Sequence, residues 1–117
     1  MIPFVFFGGA LGAVSRYLLM VYLPFSDIFS VSLINFFGSF LIGIFFFYFQ
    51  SNLCLLFAVG FCGAFTTFST YSLELVKLLI KGELLVPVSY FLGSNIACVA
   101  GCYLGIILSR LLSLSFR

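Results

Sequence analysis

The sequence predicts an all-α integral membrane protein, a four-helix bundle whose third transmembrane helix is broken. The composition supports this class, because the chain is 64% hydrophobic and only 7% charged, with a mean hydropathy of +1.35. A soluble globular domain carries roughly 25% charged residues. The spacing of the polar residues divides the chain into apolar stretches of about 20 residues or more, the length that crosses a bilayer core. We therefore expect residues 1–117 to form a single transmembrane domain.

Four apolar stretches are candidate membrane spans. The first ends at Pro24 and Asp27, the second ends near the polar residues 50–52, and the turn Lys81-Gly82-Glu83 precedes the fourth. The first run lacks the basic stretch and small-residue cleavage site of a signal peptide, and it is too long for one, so we interpret it as a retained helix. The connections are short, so consecutive spans should be antiparallel neighbours. The predicted spans cover about 2–23, 31–49, 53–79 and 84–112.

The Lys and Arg residues show no clear bias toward one side of the membrane. Four spans place both termini on one side, together with Arg110 and Arg117, while Lys77 and Lys81 lie on the other and Arg16 leans toward it. Orientation normally follows an excess of Lys and Arg in the cytoplasmic loops. A chain without this excess inserts both ways up or relies on a partner, which is a first indication of an antiparallel, dual-topology dimer.

Small residues recur one helical turn apart in three spans. Such residues let membrane helices approach closely, so they predict a compact bundle or a dimer interface. They are Gly8 and Gly12 in the first span, Ser39 and Gly43 in the second, and Gly93, Ala97, Gly101 and Gly105 in the fourth.

The third span contains the run G-A-F-T-T-F-S-T-Y-S at 63–72, with five Ser and Thr hydroxyls among aromatic residues. Ser and Thr side chains bond back to carbonyls one turn earlier and loosen a helix. Gly60 and Gly63 weaken the same region, and the span is longer than one crossing needs. We therefore expect a break near 63–70. Freed carbonyls at membrane depth are tolerated only where protein, water or an ion satisfies them, and they are good ligands for a hard cation.

Polar side chains at membrane depth need a partner, water or a substrate. Arg16 either snorkels or pairs with Glu74, or it supplies positive potential to an aqueous vestibule. Asn35 is either a hydrogen-bonding link between helices or a donor to an anion. The residues Tyr90, Ser94 and Cys98 form a line along one face of the fourth span.

Aromatic residues of the third span are further candidates to line a path for an anion. Phe68 and Tyr71 are three residues apart, so on a helix they project to a similar side. Aromatic ring edges carry partial positive charge. Hydrogen-bond donors combined with ring edges suit a small anion.

Several classes of function are disfavoured by what the sequence contains. The four cysteines form no CxxC pair and there is no histidine, which argues against a zinc site. There is no acidic pair or activated nucleophile, so we do not expect an enzyme. A net charge of +2 is too small for a nucleic-acid-binding surface.

Three segments together resemble the signatures of the Fluc (CrcB) fluoride channels, and the likeness extends over the whole chain. They are G-G-A-L-G-A-V-S-R-Y at 8–17, N-F-F-G-S-F-L-I-G at 35–43 and G-F-C-G-A-F-T-T-F-S-T at 60–70. The resemblance implies passive, selective export of fluoride from the cytoplasm, which lowers fluoride toxicity. It also implies an antiparallel dimer with two pathways in a bacterial-type cell membrane.

The same resemblance implies roles for individual residues. Asn35 would donate to fluoride, and Phe68 and Tyr71 would offer ring edges to it. The backbone carbonyls of Gly63 and Thr66 from both subunits would hold a central, structural Na⁺. The remaining expected contributions are hydroxyls near the pathway from Ser69 and Thr70, an entry vestibule with Arg16, a polar track with Tyr90 and Ser94, and an acid beyond the break at Glu74.

The sequence departs from the family pattern at three places. Tyr71 stands where phenylalanine is usual, Ala64 replaces a common glycine, and residues 30–32 read Ser-Val-Ser instead of Gly-Thr-Leu. A subunit with one altered pathway would suit a heterodimer with a paralogous member, so homodimer and heterodimer both stay open here. Two rivals are a small dual-topology multidrug exporter, which needs a membrane-embedded carboxylate absent from the first span, and a non-transporting membrane assembly protein.

Overall fold

The structure is a computed structural model that describes residues 1–45 and 52–115. Within these two ranges it contains helices and no strands. Its four spans, Ile2–Tyr22, Asp27–Phe45, Asn52–Ile80 and Leu85–Ser115, are each long and apolar enough to cross a membrane. The prediction of an all-α, four-span membrane protein is therefore confirmed. The predicted end of the second span and the turn at 50–52 lie largely outside the described residues.

We number the helices along the chain. Helix α1 is Ile2–Tyr22 and α2 is Asp27–Phe45. Segment α3 covers 52–65, and after a short interruption α4 covers Phe68–Ile80. Helix α5 is Leu85–Ser115.

Two helix boundaries differ from the ranges expected from the sequence. Helix α2 begins at Asp27 rather than near 31, and the Ser30 amide already donates to the Ser26 carbonyl at 2.9 Å. A carboxylate in the first turn stabilises a helix because it faces the positive end of the helix dipole. Helix α5 continues to Ser115, beyond the expected end at 112. Sequence reasoning placed both boundaries by polarity, whereas polar residues at helix ends remain helical.

Helix α1 packs against α3 through glycines. A methyl group added at Gly8 would collide with the Leu56 carbonyl, and one at Gly12 would collide with the Phe61 carbonyl. The backbones of the two helices are therefore in direct contact, as the GxxxG spacing predicts. This contact determines how closely α3 lies against α1.

Helix α2 packs against α5 in the same way. A methyl group at Gly43 would meet the Cys102 carbonyl, and one at Gly105 would meet the Phe40 carbonyl. At the other end of the predicted stripe, Gly93 has no neighbouring atom within 4 Å of the place a methyl would occupy. Only part of the stripe therefore packs against another helix of the chain.

Segment α3 contains a π-helical stretch that the sequence did not predict. It runs over Leu55–Cys62, and the amide of Gly63 that follows it donates to the Ala58 carbonyl, five residues back. π-Helical turns are rare and occur often at functional sites. Here the stretch leads directly into the break of the third span.

A small buried cluster lies where α4 meets α2 and α5. Its members are Val31, Tyr71, Leu78 and Tyr90, with Met20, Ile28 and Leu75 packed against it. Most of the remaining large apolar side chains are exposed along the outer faces of the helices. A lipid bilayer covers such faces, so the chain needs only this limited core.

Candidate anion pathway at the helix break

The third span is interrupted at two residues. Segment α3 ends at Phe65 and α4 begins at Phe68, while Thr66 and Thr67 have extended backbones, with ψ values of 155° and 109°. The Thr66 hydroxyl bonds back to the Cys62 carbonyl at 3.0 Å, the behaviour expected for Ser and Thr in this run. The predicted break is confirmed and lies within the expected interval 63–70.

Asn35 of α2 binds the backbone of the break with both ends of its amide. Its Nδ2 donates to the Thr67 carbonyl at 3.1 Å, and its Oδ1 accepts from the Thr67 amide at 2.7 Å. The amide and carbonyl of Thr67 are thus satisfied by one side chain in place of a helical partner. Asn35 is therefore a structural link between helices, and the second hydrogen on Nδ2 remains for another acceptor.

The Thr67 side chain begins α4. Its Oγ1 accepts from the Thr70 amide at 3.2 Å, which is an N-cap bond. The Thr70 hydroxyl lies 3.0 Å and the Ser69 hydroxyl 3.2 Å from the same oxygen. The hydroxyls of Ser69 and Thr70 that were expected near the pathway therefore gather around the cap of α4.

Of the two carbonyls expected to hold Na⁺, that of Gly63 lies in the last turn of α3 and that of Thr66 lies in the break. In an uninterrupted helix the Thr67 amide would donate to the Gly63 carbonyl, but it donates to Asn35 instead. The Thr66 carbonyl accepts from Arg16 Nη1 at 3.2 Å. Each carbonyl oxygen has two lone pairs, so both oxygens retain capacity for a cation, with a guanidinium already beside one of them.

Glu74 pairs with Lys77 and not with Arg16. Lys77 Nζ lies 2.7 Å from Glu74 Oε1 within α4, and Glu74 is 8% exposed. The alternative in which Arg16 pairs with Glu74 is therefore wrong, because Arg16 reaches the break from α1 while Glu74 lies two turns further along α4. The position of Arg16 beside a carbonyl at the break leaves its charge available to the surroundings.

Three aromatic rings follow one another from the break into the buried cluster. The ring centroids of Phe68 and Tyr71 are 5.5 Å apart, and those of Tyr71 and Tyr90 are 4.9 Å apart. Phe68 is 73% exposed, whereas Tyr71 is only 4% exposed. The series therefore leads from the surface of the chain to its interior.

A polar track runs along α5 beside these rings. The Ser32 hydroxyl donates to the Ile28 carbonyl at 2.9 Å, so in the 3.1 Å contact between Ser32 and Ser94 the proton comes from Ser94. The Tyr90 hydroxyl is buried and has no hydrogen-bond partner among the described residues. A buried hydroxyl without a partner is unfavourable, so an ion or water molecule beside Tyr90 would be stabilised.

Two cavities meet at Ser94. An open groove of about 370 Å³ between α2 and α5 is lined by Ile28, Ser32, Val86, Ser89, Tyr90, Gly93, Ser94 and Ala97. A small cavity of about 50 Å³ is lined by Asn35, Phe68, Tyr71, Ser94 and Asn95. We call the second the aromatic cavity. Since a water molecule occupies about 30 Å³ of the liquid, the aromatic cavity has room for one or two particles of that size.

The structure thus brings most of the predicted site residues together. Asn35, Phe68, Tyr71 and Ser94 line the aromatic cavity, Tyr90 lies in the adjoining groove, and Arg16, Gly63 and Thr66 lie at the break. Cys98, the third member of the predicted line on the fourth span, lines neither cavity.

Sequence reasoning missed the roles of two residues. Thr67 holds both the Asn35 bonds and the cap of α4, and Asn95 lines the aromatic cavity. A signal existed for Thr67, since a threonine three residues before the Thr70 amide is a typical N-cap. Asn95 also gave a signal as a polar residue at membrane depth, but its partner was not predictable, because only the packing of α4 on α5 brings it to Tyr71.

These features define a four-span membrane protein with a broken third helix and a small cavity near the break that polar and aromatic side chains line. The family model described as CrcB-like protein, Camphor Resistance (CrcB), matches residues 3–106. The chain is 39% identical to the fluoride-specific ion channel FluC of Magnetococcus marinus, over 95% of this chain and 98% of the relative. It is 41% identical to the FluC of Hahella chejuensis and 42% identical to that of Prosthecochloris aestuarii, over at least 90% of each chain.

The chain therefore belongs to the CrcB-like family of multi-pass membrane proteins.

Proposed function

We propose that this chain is a fluoride-selective ion channel through which F⁻ leaves the cytoplasm passively. The observation that carries the proposal is the aromatic cavity, where Asn35, Ser94 and the rings of Phe68 and Tyr71 meet at the break of a membrane helix. The relatives at about 40% identity are named fluoride-specific ion channels, which supports the same anion for this chain. No catalytic group is needed for passive flow.

The driving force comes from acid–base chemistry. Hydrogen fluoride is a weak acid whose neutral form crosses lipid, and it ionises and is trapped in a less acidic cytoplasm. A path for the ion lets fluoride leave down its electrochemical gradient. Export of this kind lowers fluoride toxicity.

Selectivity arises in the aromatic cavity. Its volume of about 50 Å³ has room for one or two particles of the size of water, so protein groups must replace part of an ion's hydration shell. The second hydrogen of Asn35 Nδ2 and the positive edges of aromatic rings are suited to a compact anion, and the Ser94 hydroxyl becomes a donor to it by turning away from Ser32. Chloride, which is larger and accepts weaker hydrogen bonds, is less well compensated.

The groove and Arg16 supply the approach to this cavity. Ser94 lines both the groove and the aromatic cavity, and we propose that an anion passes from one to the other beside its hydroxyl. The guanidinium of Arg16 beside the break adds positive potential at membrane depth. We propose that Arg16 lies in the entry vestibule of the pathway.

We further propose that two chains assemble as an antiparallel dimer. Phe68 is 73% exposed and Gly63 is also exposed in the protomer, although both belong to the region of the proposed site. A second copy, or a paralogous subunit, would cover them. The balanced charge on the two sides of the membrane is consistent with opposite orientations of the two chains.

Na⁺ is the cation that we propose at the centre of this dimer. The carbonyls of Gly63 and Thr66 from each chain would hold it, because the Thr67 amide is diverted from Gly63 and each oxygen keeps an open lone pair. A hard cation bound by oxygens would hold the two breaks together. Thermal stability of the purified protein should therefore be higher in Na⁺ than in a large organic cation.

The test is fluoride release from liposomes that contain this chain alone, followed with a fluoride electrode, with chloride release as the control. We expect fast fluoride release without chloride release. Asn35→Asp should abolish release, because the carboxylate cannot donate to the Thr67 carbonyl and adds negative charge beside an anion path. Unaltered release by this variant would contradict the proposed pathway.

If the chain alone releases no fluoride from liposomes, a second experiment is needed. The chain is then reconstituted with a co-expressed paralogue, which tests whether the functional unit is a heterodimer. Recovery of release would establish the heterodimer, and silence in both arms would exclude channel function.

A further inference from the structure

We propose that the phenolic O–H of Tyr71 is a fluoride-selecting hydrogen-bond donor and that Asn95 positions it. The inference rests on the proposed fluoride pathway. It differs from a ring-edge role for position 71, because a phenylalanine provides the ring but has no hydroxyl. Both residues line the aromatic cavity, together with Asn35, Phe68 and Ser94.

The orientation of the Asn95 amide is fixed by a backbone acceptor. Asn95 Nδ2 lies 2.6 Å from the Phe91 carbonyl, which has no proton to give, so the atom facing it must be the NH₂ group. The same Nδ2 lies 3.0 Å from Tyr71 Oη. The second N–H of Asn95 therefore points at the phenol oxygen, and that oxygen is an acceptor in this contact.

The proton of Tyr71 is consequently directed away from Asn95. The acceptor it finds is the Phe91 carbonyl at 3.4 Å, which is a long contact. That carbonyl also accepts from Asn95 Nδ2 at 2.6 Å, and in a regular helix it receives the backbone amide of Asn95 as well. Three donors compete for two lone pairs, so the phenolic proton is weakly held.

Fluoride in the aromatic cavity is a better acceptor for this proton. A hydrogen bond to an anion is roughly twice as strong as one between neutral groups. Tyr71 is 4% exposed, so bulk water competes little for its hydroxyl. As the O–H turns from Phe91 to the ion, the bond from Asn95 keeps Oη in place. The larger chloride gains less from the same donor, which makes the hydroxyl a selectivity element.

Tyr71→Phe is the direct test, since it removes one oxygen and keeps the ring. We expect fluoride efflux from liposomes to fall about fivefold to tenfold, the factor that corresponds to one hydrogen bond, with a smaller preference for fluoride over chloride. Tyr103→Phe is the matched control, because Tyr103 is an exposed tyrosine of α5 and its loss of a hydroxyl should leave efflux unchanged. Efflux by Tyr71→Phe equal to or faster than that of the parent would overturn the proposal.

The role of Asn95 is tested by its dependence on Tyr71. Asn95→Leu, which has nearly the same shape and no amide, should slow efflux in the parent and have no effect in the Tyr71→Phe background. Asn95→Gln, which keeps an amide, should give a fluoride efflux rate between those of Asn95→Leu and the parent. If Asn95→Leu slows the Tyr71→Phe variant as much as it slows the parent, Asn95 does not act through Tyr71 and is a structural residue only.

A spectroscopic measurement makes the proposal testable without flux. Addition of fluoride, compared with chloride, should perturb the ultraviolet absorption of tyrosine in the parent and in Tyr103→Phe, and should do so much less in Tyr71→Phe. Equal perturbation in all three proteins would exclude fluoride binding at the Tyr71 hydroxyl. Asn35→Asp separates the two proposals: if it stops efflux while Tyr71→Phe does not slow it, the pathway stands and the role of the hydroxyl fails.

Discussion

Polar side chains at membrane depth in this protein bind mainly to backbone atoms. Asn35 satisfies the amide and carbonyl of Thr67, and Arg16 donates to the carbonyl of Thr66. A helix break in a bilayer exposes backbone groups that lipid cannot satisfy. The break therefore explains why these two polar residues lie at membrane depth. The proposed pathway uses the second N–H of Asn35 and the charge of Arg16.

The two contributions of Arg16 can be separated by Arg16→Gln. Glutamine keeps an amide donor for the Thr66 carbonyl but removes the positive charge. We expect the thermal midpoint to change little, while fluoride efflux falls severalfold and loses much of its dependence on ionic strength, since screening acts on charge. Efflux measured at low and high salt is the readout. If rate and salt dependence both match the parent, the charge of Arg16 takes no part in conduction.

At the scale of elements, the break depends on Thr67 as much as on Asn35. The Thr67 hydroxyl caps α4 and its backbone holds Asn35, so one residue determines where the second half of the span begins. The neighbouring residues Ser69 and Thr70 contact the same oxygen. Three of the five hydroxyls in this run, those of Thr67, Ser69 and Thr70, therefore meet at the start of α4.

Thr67→Val tests the cap, because valine has the shape of threonine without its hydroxyl. The loss of an N-cap costs about 1 kcal/mol, so the thermal midpoint should fall and the amides of the first turn of α4 should exchange faster. Ser72→Ala is the matched control, since the Ser72 hydroxyl bonds only back to the Phe68 carbonyl within α4. Thermal unfolding in detergent measures the midpoint, and hydrogen exchange measures the opening of the first turn of α4, for each of the two variants. Equal behaviour of the two variants would argue against the cap.

The contact of α1 with α3 gives a sharper comparison between adjacent glycines. Gly8→Ala places a methyl against the Leu56 carbonyl, whereas Gly9→Ala meets its nearest neighbour, the Gly60 carbonyl, at 4.0 Å. Overpacking of this kind costs about 1–3 kcal/mol. We expect Gly8→Ala to lower the thermal midpoint clearly and Gly9→Ala to leave it nearly unchanged. A similar midpoint for both would mean that the helices separate without cost.

At the scale of the whole molecule, one protomer is an elongated bundle with a thin interior. Its extents are 54 × 30 × 23 Å, and its buried cluster is small compared with its exposed apolar faces. The long axis is sufficient to cross a bilayer core of about 30 Å with its headgroup regions. A lipid bilayer therefore covers much of this surface, and the proposed dimer would cover a further part of it.

Dual insertion can be tested with a reporter of sidedness at the C-terminus. The Lys and Arg residues are nearly balanced between the two ends of the bundle, so we expect the reporter on both sides of the membrane. Ser26→Lys combined with Glu83→Lys adds positive charge to the two turns at one end and should hold that end in the cytoplasm. A reporter confined to one side in the parent would contradict dual topology.

The sequence alone is sufficient for the membrane class, the four spans and the interval of the break. These properties follow from local features of the sequence. The length of each apolar stretch predicts the spans, and the Ser, Thr and Gly content of one segment predicts the break. The candidate residues Asn35, Phe68, Tyr71 and Ser94 were also reached from the sequence. Membrane burial makes each polar or aromatic position on a helix informative by itself.

Only the tertiary structure decided how these residues are connected. The clamp of Asn35 on Thr67 and the contact of Asn95 with Tyr71 each depend on where two helices cross. The π-helical stretch Leu55–Cys62 lies in a segment that is apolar on every side, so no periodic pattern reveals the change in its helical geometry. Hydrogen bonds are short-ranged and directional, and their partners are therefore fixed by packing that a linear sequence does not display.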